Sequence, residues 1–287
     1  MMDVSGIWIP LVTPLAGGGV DHAALVRLVQ HLAAQGVAGF VACGSTGEAA
    51  MLDASEQEAV LATAMKAAQG LPMMMGLSGT RPDRVAQRAS ELASRHALAA
   101  FLVTAPAYVK PSQAGIVDYF GTVADASPRP IVAYDIPART GVRIEVATLL
   151  ELAAHANIVA VKDCSGDRAA AEAVLADGRL ALLAGNDDEL FDQLARGAAG
   201  GITASAHLAT ADFVALHRLL ATQQLQAART LWQRLHPLTR ACFAEPNPAP
   251  LKAALAQQGW LRDELMAPMQ SASAATRQRL LELVSRP

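Results

Sequence analysis

Cysteine is scarce in this chain. Cys43, Cys164 and Cys242 are an odd number at wide spacings with no C-x-x-C pair, which argues against a disulfide framework and a zinc ribbon and fits a reducing cytoplasm. Positive charge is not in surplus either. The formal net charge is -3 and no basic cluster occurs, so the electrostatic footprint of a nucleic-acid binder is missing. Residues 1–10 lack the basic start and long apolar core of a signal peptide, and the uncharged stretch 97–109 holds Pro106 and is too short to cross a bilayer. A soluble cytoplasmic protein with no nucleic-acid or membrane partner is expected. The first apolar run is not followed by G-x-G-x-x-G. Residues 13–19 read Thr-Pro-Leu-Ala-Gly-Gly-Gly, a flexible loop, which weighs against a doubly wound dinucleotide-binding sheet.

What is present is enough apolar material for a large core, with 52% hydrophobic and 17% charged residues and no low-complexity tract. A chain of 287 residues suits two average domains or one α/β barrel. Short apolar runs centred on Ile9, Phe40, Met74, Phe101, Val132, Val159, Leu182 and Ile202 predict eight strands. Between them, residues 23–35, 55–69, 83–96, 112–126, 145–155, 168–175 and 188–196 carry apolar side chains at helical spacing. Ser55-x-x-Glu58 has the form of a capping box, and Gly36 and Gly70 fall just past helices. Eight strands each followed by a helix argue for a closed parallel barrel over residues 1–225. Residues 226–287 continue as a helical region, broken where alternating prolines at 246, 248 and 250 require an extended turn.

In such a barrel the chemistry belongs where strands end. Residues 158–161 form an apolar run that ends in Lys162, a costly place for an ammonium. The side chain either snorkels to water or stays partly desolvated, with its pKa lowered and its neutral amine able to attack a carbonyl. Ser45-Thr46-Gly47-Glu48 is either a plain helix cap, in the S-x-x-E form, or a helix start that presents N–H groups and hydroxyls to a carboxylate. Tyr134 is either a wall residue or a proton carrier beside the lysine, and Arg139 either a surface charge or a clamp for a second carboxylate. Cys43 and Cys164 read as packing. Gly185, Thr203 and Ser205 also follow strands.

Together, Gly44-Ser45-Thr46-Gly47-Glu48, Tyr134-x-x-Pro137-x-Arg139-Thr140-Gly141 and Lys162, 28 residues beyond Tyr134, resemble the dihydrodipicolinate synthase and N-acetylneuraminate lyase family. Glu245-Pro246-Asn247-Pro248 followed by Lys252 is similar to a further family feature, so the likeness spans nearly the whole chain. The resemblance implies a (β/α)8 TIM barrel with a C-terminal helical extension, working as a lyase of class I aldolase type through a pyruvate Schiff base. It implies no metal and no organic cofactor, and a homotetramer built as a dimer of tight dimers.

Carried over by the resemblance, Lys162 forms the imine and Tyr134 moves protons beside it. Ser45 and Thr46 hold the pyruvate carboxylate, and Gly185 and Ile202 join the substrate-binding set. Ser45 links Tyr134 to Tyr108, which in the family reaches in from the partner subunit. Serine at 45 replaces the usual threonine and keeps the hydroxyl. Arg139 favours the branch that condenses pyruvate with aspartate semialdehyde for lysine and diaminopimelate biosynthesis. Ser45 and Asp135, where asparagine is commoner, leave open a lyase or aldolase for another 2-keto-3-deoxy acid, of the N-acetylneuraminate or ketodeoxygluconate type. A barrel kept as a ligand sensor is the non-enzymatic alternative. The polar ligands of the family's lysine-effector pocket are missing from residues 49–57 and 80–84, so no feedback by lysine is expected.

Overall fold

In the computed structural model, which describes residues 2–284, each of the eight predicted runs is a strand. They are β1 (Gly6–Pro10), β2 (Gly39–Ala42), β3 (Met73–Leu77), β4 (Ala100–Thr104), β5 (Ile131–Asp135), β6 (Ile158–Asp163), β7 (Ala181–Ala184) and β8 (Gly200–Ile202). All eight are in one closed barrel, each hydrogen-bonded to its neighbours in chain order. The pairings resolved residue by residue are parallel. This is the TIM barrel, with helices alternating between strands and further helices after β8. The strands are apolar almost throughout because both faces are covered: all six residues of β6 and all five of β5 are buried.

The chain divides into two compact units, one centred on Met73–Gly201 and the other combining Gly6–Pro72 with the segment from Ile202 onward. In the first unit, the register aligns Thr104 with Tyr134, Tyr134 with Lys162, and Lys162 with Leu183. Side chains in register on parallel neighbours share a face, so these positions lie in one layer at the strand ends. In the second unit, β1 and β2 pair through Trp8 with Gly39 and Ile9 with Phe40. A Cβ on Gly39 would collide with the Trp8 ring and, at 2.5 Å, with the Pro72 carbonyl, so only glycine admits that indole.

Three local expectations are corrected. Residues 15–20 are a hairpin, Leu15–Ala16 against Gly19–Val20, because Gly17 and Gly18 both take positive φ (62° and 83°), as a tight two-residue turn requires. The capping box at the helix Ala54–Ala67 belongs to Asp53 and Glu56, and Ser55 is already helical. The Asp53 carboxylate accepts from Ser55 N and Glu56 N, and Glu56 accepts from Asp53 N. The segment expected at 188–196 is a 3-10 turn, Asp187–Glu189, running into a short helix, Leu190–Ala195. After β8 come helices Thr210–Ala221, Leu225–Cys242, Ala249–Gln257 and Ala274–Val284. Of the helical region expected over residues 226–287, residues 285–287 lie outside the described residues. Among the described residues no helix is long and apolar enough to cross a membrane.

Candidate active site

The first unit carries the lysine. Strand alternation turns Lys162 and Ala160 to one face of β6 and Val161 and Asp163 to the other. Only 5% of Lys162 is exposed, and its Nζ sits over the Tyr134 ring, 4.2 Å from the centroid. Loss of hydration pushes the lysine pKa down, and the Arg139 charge pushes the same way, while Cys164 and Asp187 oppose it. The snorkelling alternative is therefore not what this lysine does. Tyr134 is buried, and the Cys164 thiol approaches its hydroxyl at 3.9 Å. Burial raises the Cys164 pKa to about 12, so the sulfur stays protonated and packs, as expected of it.

The strand ends are tied down from behind. Gly185 N donates to Asp163 O at 2.9 Å, and a Cβ on Gly185 would run into the Cys164 sulfur and, at 2.7 Å, into Asp163 O. Gly185 is thus required for the approach of the β7 end to the β6 end. The Asp163 carboxylate accepts from Ser165 N (2.8 Å) and Ser165 Oγ (2.6 Å), which fixes the turn after Lys162. On β5, Asp135 accepts from Ile144 N at 3.1 Å and so closes the loop that bears Arg139. Desolvation raises the Asp135 pKa to about 7, and Asp163 adds to it. Neither aspartate's supporting role is visible in the sequence, since it depends on which loop folds behind the strand.

Arg139 lies exposed on the short helix Pro137–Thr140. Tyr108 is 93% exposed, at φ 71°, and its N–H donates to Thr140 O at 3.2 Å. A side chain on Gly141 would meet the Lys110 stem at 2.8 Å, so the loops after β4 and β5 interlock there.

The second unit carries the hydroxyls. Ser45–Gly47 is a 3-10 turn capped by Gly44 without a side-chain bond, so Ser45 is not the helix cap that the S-x-x-E form suggested. Glu48 takes a left-handed φ of 58° and turns its side chain inward. There its Oε1 lies 2.6 Å from Lys252 Nζ, and its Oε2 accepts from Met266 N at 2.8 Å. Lys252 Nζ also donates to Thr13 O at 2.9 Å, and the Thr13 hydroxyl donates to Gly47 O at 2.7 Å. Thr46 is buried and its Oγ1 accepts from Asn247 Nδ2 at 3.0 Å. Ser45 is half-buried and Ile202 is buried. His207 was missed, a lone histidine carrying no sequence signal. It is buried, its pKa lowered to about 4 by desolvation, and its Nε2 accepts weakly from Val12 N at 3.4 Å.

A closed parallel barrel whose sixth strand ends in a buried amine over a tyrosine belongs to the class of barrel enzymes that work through a lysine. More narrowly, the chain belongs to the dihydrodipicolinate synthetase family, whose model matches residues 3–286. It is 32% identical over 282 residues to 4-hydroxy-tetrahydrodipicolinate synthase of Thermodesulfovibrio yellowstonii, covering 97% of each chain. The structure superposes on dihydrodipicolinate synthase of Thermotoga maritima with a TM-score of 0.95 at 27% identity, covering 98% of both chains. A monomeric dihydrodipicolinate synthase variant matches at TM-score 0.94 and 27% identity, over 98% of this chain and 95% of that one.

Proposed function

We propose that this chain is a 4-hydroxy-tetrahydrodipicolinate synthase, condensing pyruvate with aspartate semialdehyde through a Schiff base on Lys162. The observation that carries this is Lys162 itself: a buried amine, its pKa lowered by desolvation, held over Tyr134 at a strand end. The neutral form of this amine, favoured by burial, adds to the pyruvate ketone, and loss of water gives an iminium. The iminium draws electrons from the methyl group, which loses a proton to give an enamine, and the enamine carbon attacks the aldehyde. Tyr134 would move the protons of these steps, with Ser45 and Tyr108 relaying them. Ser45 and Thr46 would hold the pyruvate carboxylate, with Gly185 and Ile202 completing the substrate-binding set, and Arg139 would clamp the carboxylate of the incoming aldehyde.

The product would enter lysine and diaminopimelate biosynthesis in the cytoplasm. A homotetramer built as a dimer of dimers is part of this reading. It draws support from Tyr108, an aromatic side chain left 93% exposed on a loop whose neighbour Val109 is 55% exposed. Residues 1–225 would form the catalytic barrel and 226–287 a helical appendage, with no metal or organic cofactor taking part. Borohydride reduction in pyruvate, followed by mass spectrometry, should add one reduced pyruvyl group to the peptide bearing Lys162. No added mass there would end the Schiff-base reading. A coupled assay with a panel of aldehydes should then select aspartate semialdehyde, and release of pyruvate from a 2-keto-3-deoxy acid instead would move the chain to the lyase branch.

A further inference from the structure

The C-terminal segment reaches back to the hydroxyl turn through two contacts that the proposed reaction leaves unused. Asn247, the residue before the helix-starting Pro248–Ala249 pair, donates from Nδ2 to Thr46 Oγ1 at 3.0 Å. Five positions on, Lys252 is completely buried and closes on Glu48, two residues beyond Thr46. Both partners of that ion pair are wholly covered, so it behaves as a fixed strut and not as a surface contact. The strut holds the backbone on either side of the Asn247–Thr46 bond at a constant separation.

A hydroxyl has one hydrogen and can both donate and accept. Because Thr46 Oγ1 accepts from the Asn247 amide, its own hydrogen is turned away from Asn247. Left to itself, a threonine hydroxyl rotates to suit whatever lies near it, and a carboxylate ligand would have to pay for that ordering. We propose that Asn247 is a positioning residue that holds Thr46 in the donor orientation, so that an incoming carboxylate meets a hydrogen and not a lone pair. This rests on the proposed role of Thr46 in holding the pyruvate carboxylate. It also assigns the C-terminal segment a part in substrate affinity.

The test compares Asn247→Ala, Asn247→Asp and Thr46→Val, singly and combined, by steady-state kinetics and by the pyruvate dependence of borohydride trapping. Asparagine and aspartate have the same shape, but an ionised aspartate only accepts, so it would draw the Thr46 hydrogen toward itself. The KM for pyruvate should rise by about tenfold or more in Asn247→Asp and by roughly two- to fivefold in Asn247→Ala, with kcat and the KM for the aldehyde held within about twofold. In the Thr46→Val background the Asn247→Asp effect should shrink to less than about twofold, because no hydroxyl remains to be turned. An equal rise in KM with and without the Thr46 hydroxyl would overturn the proposal, since it would mean the new charge repels pyruvate directly. An unchanged KM in Asn247→Asp would overturn it as well. Trapping of the parent protein by pyruvate separates these outcomes from failure of the Schiff-base reading, and Asn247→Ala, which adds no buried charge, keeps the test open if Asn247→Asp does not fold.

Discussion

Lys162 and Lys252 are both buried, yet their surroundings differ in one respect that decides their use. Lys252 ends against the Glu48 carboxylate at 2.6 Å and the Thr13 carbonyl at 2.9 Å. Lys162 ends over the face of the Tyr134 ring. Desolvation lowers the pKa of each, but for Lys252 the Glu48 charge and hydrogen bond pull it back toward the ammonium. A buried lysine with a carboxylate on its nitrogen is a strut, because its lone pair is tied up as an N–H bond. Without a carboxylate on its nitrogen, burial favours the neutral form, which is the form that can act as a nucleophile.

The contrast is broken most severely at the proposed nucleophile. Lys162→Ala should lower kcat/KM by roughly ten-thousandfold or more and abolish the borohydride adduct, as read by single-turnover assay and mass spectrometry. Tyr134→Phe keeps the ring under the amine but removes the hydroxyl, and should cost roughly a hundred- to a thousandfold in kcat while the adduct still forms. Stability should divide the two lysines in the opposite sense. Lys252→Met strands Glu48 and should cost about 3–5 kcal/mol in urea unfolding. Lys162→Met removes an amine whose acidic neighbour, Asp187, acts on it less than desolvation does, and should change stability by no more than about 1 kcal/mol. A comparable loss in both would mean that the Lys162 amine has a structural partner as strong as Glu48.

Proton linkage sharpens the comparison further. Because the Lys162 pKa is lowered, the neutral amine accumulates at lower pH than for an ordinary lysine, and the rate of adduct formation should level off below pH 10.5. Asp135 gives an effect that depends on pH. Its pKa is raised from 3.8 to about 7, so between those values the folded state holds a proton that the unfolded chain releases. Its contribution is therefore fully present below the lower value and is lost as pH rises through the upper one. Asp135→Asn should be more stable than the parent at pH 8 by on the order of 2 kcal/mol, with the difference fading toward pH 4 in parallel denaturation curves.

Much of this molecule is legible in its sequence. Eight short apolar runs became eight barrel strands, since a strand covered on both faces must be apolar at consecutive positions, and that pattern is local. Lys162 stood out for the same reason, as a charge ending such a run. The capping box was misplaced by two residues, because Asp53 and Ser55 are both good caps and only the path of the chain decides between them. The hairpin at residues 15–20 is written in Gly17-Gly18, but a glycine run fits a slack loop as well as a tight turn until its strands pair.

Glu48 is the instructive failure. Its local pattern, S-x-x-E, spells a helix cap, but its side chain answers to Lys252, 204 positions away, and Thr46 answers to Asn247, 201 positions away. No period or spacing within a window of residues encodes such a pair. The amino-acid order by itself determined which segments are strands and helices, where the amine falls on its strand, and the family, because each follows from neighbours along the chain. Tertiary structure alone decided which buried lysine is held by a carboxylate and which lies over a ring, because the energy of a buried charge depends on what the fold brings against it.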